Sequence, residues 1–355
     1  MKKFLALLLA LGMSLSLAAC GGSDTSSDTG SEDGESGFEE QTWKFTCSAT
    51  ENTPWADMGR EFGELVSEAT GGAITVEVYA ADQLTAGNQT EGIQGVMDGT
   101  IELSAHSNII YSNFDQRLNV VSMPFLFDSY EDVDAKLDGA AGEAVGEVVE
   151  ELGLHLLGIA ENGFRHVTNS VRPIESLADM KGLKLRVAGS ELLNEEYTAW
   201  GANWTNANWS EVYTGLQTGT YDGQENPLPT ADAASIQEVQ SYLTYWTGAY
   251  DCLFFCMNAE LYNSLSPELQ AIVDEAGQAA CEYERELNRS QDQEIMDKWA
   301  EAGVEITELT PEAAAEFAEA SAPVYDEFAD ELTPELIEAF TSVTQADAGT
   351  TEPAA

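Results

Sequence analysis

Positive charge is what this sequence has least of: 14 Lys and Arg stand against 63 Asp and Glu in 355 residues, for a formal net charge of −49. A chain this acidic repels phosphate backbones, which excludes nucleic acid as a partner. Histidine is scarce as well, and His106, His155 and His166 lie far apart. Beyond Cys20 the cysteines are Cys47, Cys252, Cys256 and Cys281, with no C-x-x-C pair, so neither a His/Cys metal site nor a dense disulfide framework is expected. Buried thiols, or at most a single bridge, fit that spacing. Past the N-terminus no stretch is apolar for the roughly 20 residues a membrane span needs. The chain also lacks G-x-S-x-G, a P-loop and a dinucleotide fingerprint, so no cofactor is expected and binding is a more economical reading than catalysis.

What apolar run there is comes first. Lys2 and Lys3 precede apolar residues 4–17, then Leu17-Ala18-Ala19-Cys20, which reads as a secretory signal (1–19) ending in a lipobox, with Cys20 as the lipidated first residue of the mature chain. Its loss takes the net charge from −49 to −51. Residues 20–40 are Gly, Ser, Thr, Asp and Glu almost throughout and read as a flexible acidic tether. The expected address is extracytoplasmic, anchored to the cell membrane by lipid.

From Trp43 the patterning becomes regular. Trp43 to Cys47 alternates as a strand, Thr53-Pro54 opens a helix carrying Met58, Phe62, Leu65 and Val66, and Gly71-Gly72 stops it. Ile74, Val76 and Val78 form the next strand. A helix with Ile93, Val96 and Met97 follows, then a strand at 101–105. This βαβαβ rhythm argues for a mostly parallel sheet flanked by helices. Farther on, one helix is expected over 131–152, a strand over 154–160, a turn and lobe crossover at Asn162-Gly163, and a second crossover at Tyr250-Asp251. A helix over 267–302, with Leu269, Ile272, Val273, Ala276, Ala280, Tyr283 and Leu287 on one stripe, would reach roughly 50 Å, enough to span two lobes.

Five of the 14 basic residues crowd into 22 positions: Arg165, Arg172, Lys181, Lys184 and Arg186. Arg186 lies in the alternating run Leu-Lys-Leu-Arg-Val, a short strand with Lys184 and Arg186 on one face and leucines on the other. A guanidinium held on a strand suits a carboxylate, gripped by two parallel hydrogen bonds. The pattern equally admits a structural pair with an acid such as Asp179. A helix over 191–200 ends at Gly201. The polar and aromatic loop 203–209 follows, and then a helix capped by Ser210.

Four segments in this region, G-F-R (163–165), D-M-K-G-L-K-L-R-V (179–187), W-S-E-V-Y-T-G-L-Q-T-G (209–219) and Y-D-G-Q-E-N-P (221–227), resemble the signature of DctP-type substrate-binding proteins of TRAP transporters. These are extracytoplasmic receptors of sodium-coupled organic acid importers, and weaker similarity extends over 43–343. The resemblance implies an α/β, two-lobed periplasmic-binding-protein-like fold, each lobe a mixed sheet flanked by helices, with a long helix spanning both. The expected division is lobe I at 41–162 plus 252–292, lobe II at 163–251 plus 293–345, and a loose tail at 346–355.

By the same resemblance Arg186 takes the ligand carboxylate and Arg165 supplies a second carboxylate or oxygen donor. Asn226 offers donor and acceptor, and Trp209 packs on the ligand. The family's proline-containing segment is replaced here by residues 201–208, so Asn203 and Asn206 add amides suited to a hydroxylated ligand. The implied ligand is a sugar acid or a C4-dicarboxylate. The implied partners are the small and large TRAP membrane subunits, with the receptor itself a monomer. A surface lipoprotein for sensing or adhesion on the same fold, without transport, is the alternative.

Overall fold

The computed structural model describes residues 37–341. Its strands are β1 (Gln41–Cys47), β2 (Ile74–Tyr79), β3 (Leu103–Ser107), β4 (Leu154–Phe164), β5 (His166–Asn169), β6 (Lys184–Val187), β7 (Asn203–Asn206), β8 (Gly223–Asn226), β9 (Tyr242–Tyr245), β10 (Tyr250–Asn258) and β11 (Glu305–Glu308). They form two mixed sheets, ordered β2-β1-β3-β10-β4 and β11-β9-β5-β8-β6-β7. The signal, Cys20 and all but the end of the expected tether lie outside the described residues, as does the tail.

In the first sheet β1 pairs in parallel with β2 and β3. Parallel neighbours need a crossover, and the helices Pro54–Ala69 and Gln89–Met97 supply it. Pro54 at the first turn costs no hydrogen bond, since that N–H would have had no helical partner. The helix buries Trp55, Met58, Phe62 and Val66. Phe62 meets Phe255 edge-on at 5.0 Å, and Phe45 meets the same ring at 5.6 Å. Burial of each such ring contributes about 1.5–3 kcal/mol.

The second sheet is built from short strands. At its centre β8 runs antiparallel to β5 and parallel to β6. Gly223 opens β8 where a Cβ would come within 2.1 Å of the Thr168 carbonyl oxygen, so the close approach of β5 and β8 requires glycine. Trp200, Trp246 and Phe317 close the core on one side of this sheet, with ring centroids 4.9–5.3 Å apart.

Where sequence pattern and structure part, local geometry explains it. Asn162-Gly163 is not a turn. β10 pairs along β4 from Asn258↔Leu154 through to Tyr250↔Phe164, with an irregularity at Asp251/Cys252, so the ladder carries the chain straight out of the first sheet. The expected helix over 131–152 is two, Tyr130–Leu137 and Ala140–Glu151, because the chain folds back so tightly that a Cβ on Gly142 would stand 1.9 Å from the Leu137 carbonyl oxygen. The long helix is likewise divided into Pro267–Arg289 and Asp292–Glu301 by a turn at Ser290 and Gln291. The first piece packs on helix Pro54–Ala69 and β4, the second on helix Leu228–Ala233 and β11, so the pair still passes from one lobe to the other. Tyr283 faces solvent, and Glu284 takes the buried place expected for it. The last helix, Pro334–Thr341, returns to pack on helix Ala140–Glu151 beside the first sheet.

Cys47, Cys252, Cys256 and Cys281 are free and buried. Burial pushes the Cys256 thiol up to about 12 and raises the others as well, so these thiols stay protonated and inert.

Candidate ligand site between the lobes

A single residue separates β4 of the first sheet from β5 of the second, and that residue is Arg165. Its backbone is held on both sides: its N–H donates to the Ala249 carbonyl at 2.8 Å, and its carbonyl accepts from Trp246 Nε1 at 2.9 Å. The residue is 4% exposed. Nε donates to Glu225 Oε2 and Nη1 to Asp251 Oδ2, while Nη2 donates to the Glu225 carbonyl at 3.0 Å and to Asn226 Oδ1 at 3.1 Å. Burial alone would lower its pKa, but the two carboxylates more than offset that and hold it up.

β8 sets Glu225 between β5 and β6, and so between the two arginines. Glu225 Oε1 accepts from the Ala188 N–H at 3.0 Å and stands 3.9 Å from Arg186 Nη1. Arg186 itself is 2% exposed. Its Nε and Nη2 donate to the Ala207 carbonyl at 3.0 and 2.6 Å, and Nη1 makes no hydrogen bond to the described residues. Burial pushes this guanidinium down to about 10; Glu225 offsets part of that, and the like charge of Arg165 adds to it. Asp179 is not its partner, being occupied with Ser176. Of the other clustered basic residues, Arg172 bonds the Asp179 and Lys181 carbonyls and Lys184 pairs with Asp222 at 3.3 Å on the surface.

Trp209 opens the helix Trp209–Gln217, and its ring centroid lies 5.8 Å from Arg186 Cζ, within cation–π range. Ser210 falls inside this helix rather than capping it, because Asn208 holds the cap position. Asn226 is committed on both sides of its amide, accepting from Arg165 and donating to Gln224 Oε1 at 2.8 Å. Arg165, Arg186, Trp209 and Asn226 all line one cavity, together with Ser48, Trp55, Gln89, Ser107, Asn162, Thr230 and Asp251.

Asn203 and Asn206 are not brought to that cavity. The segment expected as a loop forms the edge strand β7, paired in parallel with β6 in the register Lys184↔Asn203 and Val187↔Asn206, which leaves both amides exposed. Asn203 Nδ2 donates to the Gly182 carbonyl at 3.2 Å, and Asn206 Nδ2 to Ala188 O and Asn194 Oδ1 at 3.1 and 2.9 Å. Motif reading also passed over the two acids. Glu225 sits inside Q-E-N-P, and Asp251 looked only like a crossover marker; a buried arginine's need for carboxylates was the signal that pointed to them.

The lobes meet over the cavity through polar contacts at its rim. Asn113 Nδ2 donates to Gly189 O at 2.7 Å, Gln116 Nε2 to Glu191 Oε2 at 2.6 Å, Ser190 Oγ to Asn119 Oδ1 at 3.2 Å and Ser210 Oγ to Gly87 O at 3.3 Å. Between them the cavity measures about 20 Å³, room for about one water. Entry of a larger solute requires the lobes to part. A bigger concavity of about 740 Å³ lies on the outer face between helices Ala140–Glu151 and Pro267–Arg289, but Glu143, Glu147, Glu150 and Glu282 line it, and its one arginine, Arg285, is spent on Asp138 and the Ile159 carbonyl.

Around the interlobe cavity the charges are nearly balanced: Arg165 and Arg186 against Glu225 and Asp251. Glu196, fully buried behind them, is pushed well above the usual carboxyl range by burial first and by Glu225 second, so it stays neutral and adds no charge. The arrangement can hold an anion at Arg186.

The chain matches the model of the bacterial extracellular solute-binding protein family 7 (DctP) over residues 45–332. It is 33% identical over 266 residues to the 2,3-diketo-L-gulonate-binding periplasmic protein YiaO of Escherichia coli, covering 75% of this chain and 80% of that one. It is 29% identical over 303 residues to the C4-dicarboxylate-binding periplasmic protein DctP of Rhodobacter capsulatus, covering 85% and 90%. Among solved structures, the sugar acid binding protein DctPAm of Advenella mimigardefordensis in complex with galactonate superposes with a TM-score of 0.82 at 27% identity, covering 86% of this chain and 98% of that one. With its two lobes, its buried arginines and this match over most of its length, the chain belongs to the DctP family of TRAP solute-binding proteins, extracytoplasmic receptors rather than enzymes.

Proposed function

We propose that this protein captures an organic acid anion between its lobes and delivers it to the small and large membrane subunits of a sodium-coupled TRAP importer, while a lipid on Cys20 keeps it at the membrane. The observation that carries the reading is Arg186: a buried, strand-mounted guanidinium lining the interlobe cavity, with Nη1 unbonded and its nearest acid 3.9 Å away. A carboxylate placed there gains charge-assisted hydrogen bonds and relieves the burial penalty on the arginine. Trp209 supplies an apolar wall. Arg165 and Asn226 act on this reading as a held pair that fixes Glu225 and shapes the cavity floor. The diketogulonate-binding, dicarboxylate-binding and galactonate-bound relatives support an organic acid as the ligand class.

The test is thermal-shift screening of the purified protein against sugar acids and C4-dicarboxylates, since ligand at 100 times its Kd raises stability by about 2.7 kcal/mol. A rise with one of these acids that vanishes in Arg186→Ala is expected. No rise with any carboxylate, set against a rise with uncharged sugars, would overturn the proposal.

A further inference from the structure

On the first-lobe side of the cavity two buried donors have no partner among the described residues. Trp55 Nε1, in the first turn of helix Pro54–Ala69, and Ser48 Oγ, just after β1, make no hydrogen bond to the described residues, although they are only 3% and 5% exposed. Both line the cavity, as does Gln89. Buried polar groups in folded proteins are nearly always paired, so two orphans lining one small cavity mark a place for a ligand atom. An indole N–H can only donate, which makes that atom an acceptor, and for a small organic solute an oxygen.

The charge of that oxygen follows from its surroundings. Among the residues on this side of the cavity, Ser48, Ala49, Trp55, Gln89, Ser107 and Ile110, none is basic. The charged residue that the first sheet itself gives the lining is Asp251 of β10, whose oxygens already accept from Ser107 Oγ at 2.7 Å, Asn162 Nδ2 at 2.7 Å and Arg165. Arg165 cannot turn to help, because four of its donor contacts go to Glu225, Asn226 and Asp251. A second carboxylate would therefore meet a buried anion and no free cation, whereas a neutral hydroxyl or carbonyl meets two waiting donors.

We propose that Trp55 and Ser48 form a neutral oxygen subsite, opposite Arg186, that selects hydroxy- or keto-monocarboxylates over dicarboxylates. The inference rests on Arg186 taking the first carboxylate, as proposed above. It settles on one of the two ligand classes that the sequence left open, and it does so by residues outside the four signature segments.

The experiment is calorimetric titration of the folded protein, with folding checked by circular dichroism melts, against galactonate, erythronate and 2-acetolactate on one side and succinate and malate on the other. The tightest monocarboxylate should exceed both dicarboxylates by about tenfold or more. Trp55→Phe, which keeps the ring and deletes the donor, should weaken that monocarboxylate by about tenfold, and Ser48→Ala by several-fold. Succinate or malate binding as tightly as the best monocarboxylate, or Trp55→Phe binding it as well as the unaltered protein, overturns the subsite. If none of the acids binds, or if Arg186→Ala binds them undiminished, the carboxylate reading itself fails instead.

Discussion

Arg186 Nη1 and Glu225 Oε1 stand 3.9 Å apart, beyond hydrogen-bond reach, while the other oxygen of the same carboxylate is bonded by Arg165. One acid thus serves two guanidiniums unequally. Arg165 is satisfied and Arg186 is left short of a counter-charge, in a place where burial pushes it down to about 10.

The first prediction follows from that inequality. Arg186→Ala should weaken binding of the physiological acid by about tenfold to several hundredfold, at roughly 1.5–3 kcal/mol per charge-assisted hydrogen bond. Arg186→Lys keeps the charge without the planar fork and should recover part of the loss. Calorimetric titration of the folded variants measures this, and near-native affinity in Arg186→Ala would remove the residue from the site.

Arg165 should behave in the opposite way. Its removal strands Glu225 and Asp251 as buried charges, 1% and 0% exposed, so Arg165→Ala should destabilise the fold by about 3–5 kcal/mol. Urea denaturation followed by fluorescence reads this as a drop in midpoint. A variant of native stability that has lost affinity would instead make Arg165 a direct ligand contact.

Much of this arrangement was legible in the sequence, and the gaps have physical causes. The alternation around Arg186 and the helix starts at Pro54 and Pro267 are local signals, and the structure keeps them. The strand β7 was missed because Asn203 to Asn206 is exposed throughout, so the strand carries no apolar alternation and exists only through its pairing with β6. The break at Asp138 and Gly139 goes with a close backbone approach at Gly142 that no side-chain pattern encodes. Trp55 and Ser48 could not be picked out either: in sequence they are ordinary residues near a helix start, and only the meeting of two lobes makes their lack of partners visible.

His166 predicts a pH response. It is buried, its Nδ1 accepts from the Trp246 N–H at 3.3 Å, and its ring stacks on Tyr245 at 4.2 Å. Burial lowers its pKa from 6.5 to about 3, and the neighbouring Arg165 pushes the same way. The folded value lies below the unfolded one, so the fold favours the neutral ring: this contribution is complete above pH 6.5 and is lost progressively as pH falls toward 3. Melting curves should show His166→Phe losing less stability between pH 7 and pH 4 than the unaltered protein. Equal losses would exonerate His166.

Cys20 lies outside the described residues, and its prediction rests on the lipobox alone. Cys20→Ala should move the protein from the membrane fraction to the soluble one and abolish labelling by a fatty acid probe. Retention at the membrane without label would point to an anchor of another kind.

The rim contacts make the last prediction, about the time a ligand stays bound. With the cavity closed to about 20 Å³, release requires the lobes to separate. Separation breaks Asn113 to Gly189 and Gln116 to Glu191, bonds of 2.7 and 2.6 Å. Both lie in exposed surroundings, where each contributes only about 0.5–1.5 kcal/mol net. Neither Asn113 nor Gln116 lines the cavity, so replacing both with alanine leaves the ligand contacts intact and removes only part of what holds the lobes together. Stopped-flow fluorescence should then show dissociation faster by about fivefold to a hundredfold, with association changed far less. Small-angle scattering of the double variant at saturating ligand should match that of the unaltered protein at saturating ligand, because the ligand itself bridges the lobes. Unchanged dissociation in the double variant would mean that the rim bonds form only after the lobes have been locked by contacts deeper in the cavity.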